Sequence, residues 1–240
     1  MTINRAPIIT HAMVLAAGRG ERLRPLTDSL PKPLIKVGGK ALIDHVLDRL
    51  AEAGVEQAVV NLWHLGGLIE THLSRREKPA ITFSPEAELM NTGGGIAKAL
   101  PLLGNDPFYA INGKILWRDG ETGALARLAP AWDDDKMDAL LLLVPLERAG
   151  GYSAAGDFFL DEDGAIGRPE PGATAPWVFT GMQILHPRLF AGAPPGPFSL
   201  NLLYDRALAA GRLFGLAHDG LWCHVATPEG LAEAQTWFAR

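Results

Sequence analysis

Between residues 11 and 146 short apolar runs alternate with amphipathic stretches, and this order restricts the fold more than any other feature. His11 to Ala17 is apolar, short and followed by a turn, which predicts a buried strand. Ala41 to Gly54 carries Ile43, Val46, Leu47 and Leu50 at helical spacing, with Gly54 as its stop. The order then repeats: strand over Gln57 to Trp63, helix over Gly66 to Leu73, strand over Ala80 to Pro85, helix over Gly94 to Leu103. A strand over Pro107 to Gly113, a helix over Glu121 to Trp132 and a strand over Asp138 to Leu146 complete this part. Such alternation predicts an α/β fold with a mostly parallel sheet covered by helices.

After Gly150 the pattern changes. GDFFLDEDGAIGRP predicts a hairpin around Asp163-Gly164, and WVFTGMQILHP a further strand. A helix over Asn201 to Ala210 precedes LFGLAHDGLWCHV, which reads as a second hairpin through Asp219-Gly220. In the closing TPEGLAEAQTWFAR, Thr227 can cap a helix whose first position is Pro228. With 240 residues, 48% of them hydrophobic, and no linker or repeat, the expectation is one domain.

A net charge of −5 argues against nonspecific binding to nucleic acid or an anionic membrane. The basic residues are nevertheless uneven: Gly18 to Lys40 holds six Lys or Arg and two acids. That concentration points to a local anion site. One cysteine, Cys223, excludes an intrachain disulfide and a cysteine-rich zinc site. No signal-peptide pattern is visible, and the apolar run Ala139 to Pro145 is too short to span a bilayer as a helix. A cytoplasmic protein is expected.

The anion site is expected where the first strand ends. Gly18 and Gly20 fall in the strand-to-helix loop, at the sheet edge where α/β proteins hold ligands, and glycine lets backbone N–H groups approach phosphate oxygens. Arg22 adds a planar fork and Lys32 a point charge, so the expected anion is a triphosphate; a solvated basic loop is the plainer alternative. GRGERL lacks the third glycine of the dinucleotide fingerprint, and Gly38 to Ala41 lacks the spacing and hydroxyl of a P-loop.

The stretch LAAGRGERLRPLTDSLPKPLIKVGGKALIDH resembles the signature of sugar-1-phosphate nucleotidyltransferases, with Gly18, Gly20, Arg22, Pro25, Thr27, Pro31, Lys32 and Pro33 in its slots. NTGGGIAKAL, INGKILW, GDFFL, FTGMQILHPRLF and VATPEGLAEA extend the likeness over nearly the whole chain. Within the family it is most similar to the N-acetylmuramate-1-phosphate uridylyltransferases of cell-wall recycling, with mannose-1-phosphate guanylyltransferases close behind. The resemblance implies a Rossmann-like three-layer α/β/α fold, with a nucleotide-binding half over about 1–150 and a sugar-phosphate half over about 151–240. It implies attack by a sugar 1-phosphate oxygen on the α-phosphorus of a nucleoside triphosphate, releasing pyrophosphate. Arg22 and Lys32 would be catalytic. Leu15, Ala16, Ala17, Gly18, Gly20, Asn91, Gly94, Gly95 and Asn112 would hold the nucleotide, and Gly156, Thr180 and Gly181 the sugar.

The family expectation includes Mg2+ on two aspartates. Here the first position is Lys114, in Asn112-Gly113-Lys114, and the second is His224. Neither an ammonium nor an imidazole is the hard oxygen donor magnesium takes. Lys114 can be an inactivating change, a substitute for part of the metal's charge, or a surface lysine; His224 can be a structural imidazole or part of the pocket. Asn91 also stands where the muramate branch usually has glutamate. Two functions therefore stay open: an active nucleotidyltransferase, or a weakly active or inactive nucleotide- and sugar-phosphate-binding protein. Trp63, Trp117 and Trp177 suit a core more than a stacking platform; Asp133 to Asp135 reads as a solvated turn, and His64 and His72 as non-ligands.

Overall fold

The computed structural model describes residues 7–238. Among them the strands are β1 (His11–Leu15), β2 (Gln57–Leu62), β3 (Ala80–Pro85), β4 (Phe108–Asn112), β5 (Ile115–Arg118), β6 (Ala139–Pro145), β7 (Trp177–Leu185), β8 (Leu213–Ala217) and β9 (Leu221–His224), leaving aside two-residue strands. The main helices are α1 (Leu42–Glu52), α2 (Gly66–Leu73), α3 (Asn91–Leu103), α4 (Ala124–Ala131), α5 (Asn201–Ala209) and α6 (Pro228–Thr236).

Seven strands form one sheet in the order β8-β6-β7-β4-β1-β2-β3. All its pairings are parallel except the two made by β7. The run HAMVL is buried on both sides because β1 lies inside this sheet: Ala12 and Val14 pack with Ile43, Val46, Leu47 and Leu50 of α1, Ile69 of α2 and Leu125 and Leu128 of α4. Met13 points the other way, to Ile96, Ala99 and Leu103 of α3 and Leu203 and Tyr204 of α5. The period-two alternation of one strand thus separates two helical layers.

The N-terminal alternation is present with boundaries shifted by a few residues. α3 begins at Asn91 rather than Gly94. α4 begins at Ala124 rather than Glu121, because the Asp119 carboxylate accepts from the Ala124 N–H at 2.8 Å and fixes the first turn there. The Asp163-Gly164 hairpin pairs Phe159 with Gly167. Thr227 caps α6, accepting from Gly230 N at 3.2 Å.

The second expected hairpin is overturned. β8 pairs with β6 in the large sheet, whereas β9 joins β5 and Ala149–Gly150 in a separate three-stranded sheet. Asp219-Gly220 makes a crossing between sheets, not a two-strand turn, and the Arg127 ion pair to Asp219 at 2.8 Å holds that corner. The consequence for the site is direct. β9 runs antiparallel to β5 with His224 opposite Ile115, so the small sheet sets His224 beside Lys114. No helix among the described residues is long and apolar enough to cross a membrane.

Candidate active site

The carboxyl ends of β1 and β4 open onto a cavity of about 430 Å3. Leu15, Ala16, Ala17, Gly18 and Gly20 form one wall, Asn112 and Lys114 another, and Asn91 and Thr92 at the start of α3 a third. Lys32, at the start of a short 3-10 turn (Lys32–Leu34), also lines the cavity. A second space, about 500 Å3, shares Gly18, Gly20, Lys32 and Lys114 with the first and adds Arg19, Glu21, Arg22 and Ala226. Arg22 therefore faces the outer space, and Lys32 and Lys114 face both.

The glycine loop is held by short local bonds. Gly20 sits at φ +70°, where a side chain is strained and where a Cβ would lie 2.9 Å from Thr27 Cγ2. Thr27 Oγ1 donates to Gly20 O at 2.9 Å, and His64 Nε2 donates to Thr27 O at 3.1 Å. His64 is thus a brace for the loop. Trp63 is half-buried with Arg19 stacked over its ring at 4.7 Å, and Trp117 is buried with its Nε1 donating to Asp119. None of the three tryptophans lines either space.

Behind the wall that runs from Ala16 to Asn91 lies a chain of buried polar groups that sequence reasoning missed. Ala16 N donates to Asn61 Oδ1 at 2.7 Å, Asn61 Nδ2 donates to Glu86 Oε1 at 2.7 Å, and Met90 N donates to Glu86 Oε2 at 3.1 Å. Asn61 itself borders the cavity. The available signal was the amide of Asn61 near the end of the apolar run AVVNL. Thr92 and Ser199 also line the cavity, and Leu200 N donates to Thr92 Oγ1 at 3.0 Å.

Of the expected nucleotide-side residues, Gly94 and Gly95 stand apart from the cavity lining. They are buried packing positions: a Cβ on Gly94 would come within 2.5 Å of Gly196 O, and one on Gly95 within 2.8 Å of Glu86 Oε1 and 2.9 Å of Asn61 Nδ2. Thr180 and Gly181 lie where β7 shifts register, and Thr180 Oγ1 donates to Leu142 O at 2.8 Å. A Cβ on Gly181 would run into the side chain of Asn112. These two residues form a wall behind Asn112, and neither lines the two spaces.

Gly156, at φ +82°, has the Ala175 backbone where a Cβ would be. Its requirement for glycine is a chain-packing requirement, so Gly156→Val acts on folding. Positive φ and the backbone clash together are expected to cost about 3 kcal/mol of unfolding free energy, measurable in urea. Loss of ligand affinity with an unchanged denaturation midpoint would contradict this placement.

The charges of the site are unbalanced. Lys32 is only 4% exposed, and burial, then Lys114, then Arg22 push its pKa down to about 7. Burial and Arg22 lower Lys114. His224 is half-buried, stacked on Trp222 with ring centroids 5.8 Å apart. Burial, Lys114, Lys32 and Arg22 bring its pKa down to about 4, so its imidazole is neutral at pH 7. The position of Lys114 in the cavity wall removes the reading of it as a surface lysine.

Magnesium held by the protein does not fit these donors. The two positions expected to carry the ligands hold an ammonium and an imidazole, and no group of three His, Cys, Asp or Glu suited to a metal occurs among the described residues. Asp119 is engaged elsewhere, by Arg49 at 3.1 Å, Trp117 and Ala124. Asp133 and Asp134 pair with Lys136 and Arg188 at 3.0 Å each.

The nucleotidyl transferase family pattern matches residues 11–155. The chain is 44% identical to N-acetylmuramate alpha-1-phosphate uridylyltransferase of Caulobacter vibrioides, over 99% of each chain. It is 40% identical to the protein of that name from Neisseria meningitidis serogroup B, covering 93% of this chain and 96% of the other. A UDP-glucose pyrophosphorylase solved with UDP-glucose superposes with a TM-score of 0.77 at 20% identity, covering 96% of this chain and 98% of its own.

Proposed function

Because the chain belongs to the nucleotidyl transferase family, we propose that it transfers UMP from UTP to N-acetylmuramate α-1-phosphate, releasing pyrophosphate. The observation that carries the chemistry is the convergence of glycine backbone, Lys32 and Lys114 on one cavity at the carboxyl ends of the parallel strands. The choice of base and sugar rests on the two relatives of that activity, which match almost from end to end.

In this reading the Leu15 to Gly20 backbone, Asn91 and Asn112 hold the nucleotide, with Gly94 and Gly95 allowing α3 to pack close behind. An oxygen of the sugar phosphate forms a bond to the α-phosphorus of UTP while the bond from that phosphorus to the bridging oxygen breaks. The electron pair leaves with pyrophosphate. Such a transfer depends on alignment and charge neutralisation. Lys32 would neutralise charge near the α-phosphate and Arg22, in the outer space, charge on the departing pyrophosphate. The half after Gly150, with Gly156, Thr180 and Gly181 shaping its walls, would present the acceptor. A cytoplasmic role in recovering cell-wall sugar fits this substrate pair.

The second reading is a nucleotide-binding protein with little turnover, favoured by Lys114 and His224 in place of oxygen ligands. A pyrophosphate-release assay over several nucleoside triphosphates and sugar 1-phosphates separates the two. Fastest release with UTP and N-acetylmuramate 1-phosphate is the expected result. Tight UTP binding with no release from any pair would establish the second reading.

A further inference from the structure

We infer that Lys114 stands in for a protein-bound divalent ion, so that this site takes up the triphosphate as a metal-free polyanion. The inference rests on the nucleotide site proposed above but does not depend on the identity of the base.

The geometry begins with the small sheet. β5 follows Lys114 directly, and its antiparallel pairing with β9 brings His224 opposite Ile115. Lys114 consequently sits next to the imidazole, with its ammonium in the wall shared by both spaces. Lys32 lines the same two spaces from the short 3-10 turn Lys32–Leu34, and Arg22 lines the outer one. Four cations thus surround the outer space: Lys32 and Lys114 at its base, and the exposed Arg19 and Arg22 at its rim. The acidic residue lining it is Glu21, an exposed side chain in the outer space, beside exposed Arg19.

The two lysines resist burial and are repelled by each other and by the arginines, so the site without an anion is electrostatically unfavourable. An anion of several charges relieves them together. A divalent ion would not: it would add two positive charges beside Lys114 and find an imidazole and an ammonium instead of carboxylates. Free magnesium should act chiefly on the ligand, by complexing the phosphates and lowering the charge that the lysines meet.

The test is calorimetric binding of two probes, inorganic tripolyphosphate and UTP, each in EDTA and in excess magnesium. Wild-type protein is expected to bind both at least about threefold more tightly in EDTA than in excess magnesium. Lys114→Ala should weaken binding in EDTA by about tenfold or more, the scale of one charge-assisted hydrogen bond. Lys114→Asp should reverse the preference, so that magnesium strengthens binding. Binding of wild type only with magnesium, or unchanged affinity in Lys114→Ala, overturns the inference. Tripolyphosphate bound in EDTA without UTP would leave the inference standing and remove the uridylyl reading. Failure of both probes under both conditions would remove both.

Discussion

Lys32→Met will slow nucleotidyl transfer by about two to three orders of magnitude and at the same time raise the melting temperature. The two effects have one cause. Lys32 is buried at the edge of the cavity, facing Lys114 and Arg22. In the ligand-free protein its charge has no carboxylate partner there, so holding the ammonium in place destabilises the fold. When phosphates arrive, the same charge is matched. Methionine keeps most of the stem's packing and removes the burden, with an expected gain on the order of 2 kcal/mol, or roughly 5 °C in Tm. A variant with lower Tm and lower activity would show that Lys32 is a packing residue.

The pH dependence of stability has a definite sign. The folded pKa of Lys32, about 7, lies below its ordinary value of 10.5. Between those values the unfolded chain binds a proton that the folded chain does not, so the contribution of this group to stability increases with rising pH. It is fully unfavourable below pH 7 and relieved toward pH 10.5. Methionine should remove the Lys32 part of that slope. The groups facing Lys32 do not reverse it: Lys114 is itself lowered by burial and contributes with the same sign, and His224 is neutral above about pH 4. In kcat/KM the sign is opposite, since the free enzyme loses the useful charge as pH rises through 7.

The sequence legibly carried whatever depends on local periodicity. Ile43, Val46, Leu47 and Leu50 announced α1 by spacing, and Gly66 to Leu73 was delimited to the residue. The loop at the end of β1 was readable because Gly18 and Gly20 directly follow a buried strand, and the structure places both in the cavity wall. Pairing across long separations was not readable. Asp219-Gly220 has good hairpin chemistry, yet β9 finds its partner in β5, about a hundred residues earlier, and that pairing brings His224 near Lys114. Glycine was also ambiguous. Gly156 and Gly95 look alike in sequence to ligand-contacting glycines, but each is required by a close neighbour, the Ala175 backbone in one case and the Asn61–Glu86 pair in the other. No local pattern distinguishes a glycine that admits phosphate from one that admits another part of the same chain.

The Asn61–Glu86 pair supports the other large expected effect. Asn61→Leu should lower unfolding free energy by about 3–5 kcal/mol, because a side chain of similar size leaves two buried polar groups without a partner at once. Ala16 N loses the Asn61 Oδ1 acceptor, and Glu86 Oε1 loses the Nδ2 donor. Glu86 would retain only the Met90 N–H, an expensive position for a carboxylate 7% exposed. The functional effect follows from where these bonds end. Ala16 belongs to the cavity wall after β1, and Met90 precedes Asn91, which holds φ +57° at the opposite wall. Asn61 therefore positions both sides of the nucleotide site, and its loss should weaken UTP binding at least about tenfold, even at temperatures where the variant stays folded. Glu86→Gln supplies the control. Its amide keeps one acceptor oxygen and loses the other, so about 1–2 kcal/mol and a smaller affinity change are expected. Urea unfolding and calorimetry should rank Asn61→Leu below Glu86→Gln in both stability and affinity. If Asn61→Leu loses stability alone and binds UTP as the parent does, the relay holds the core together without setting the geometry of the site.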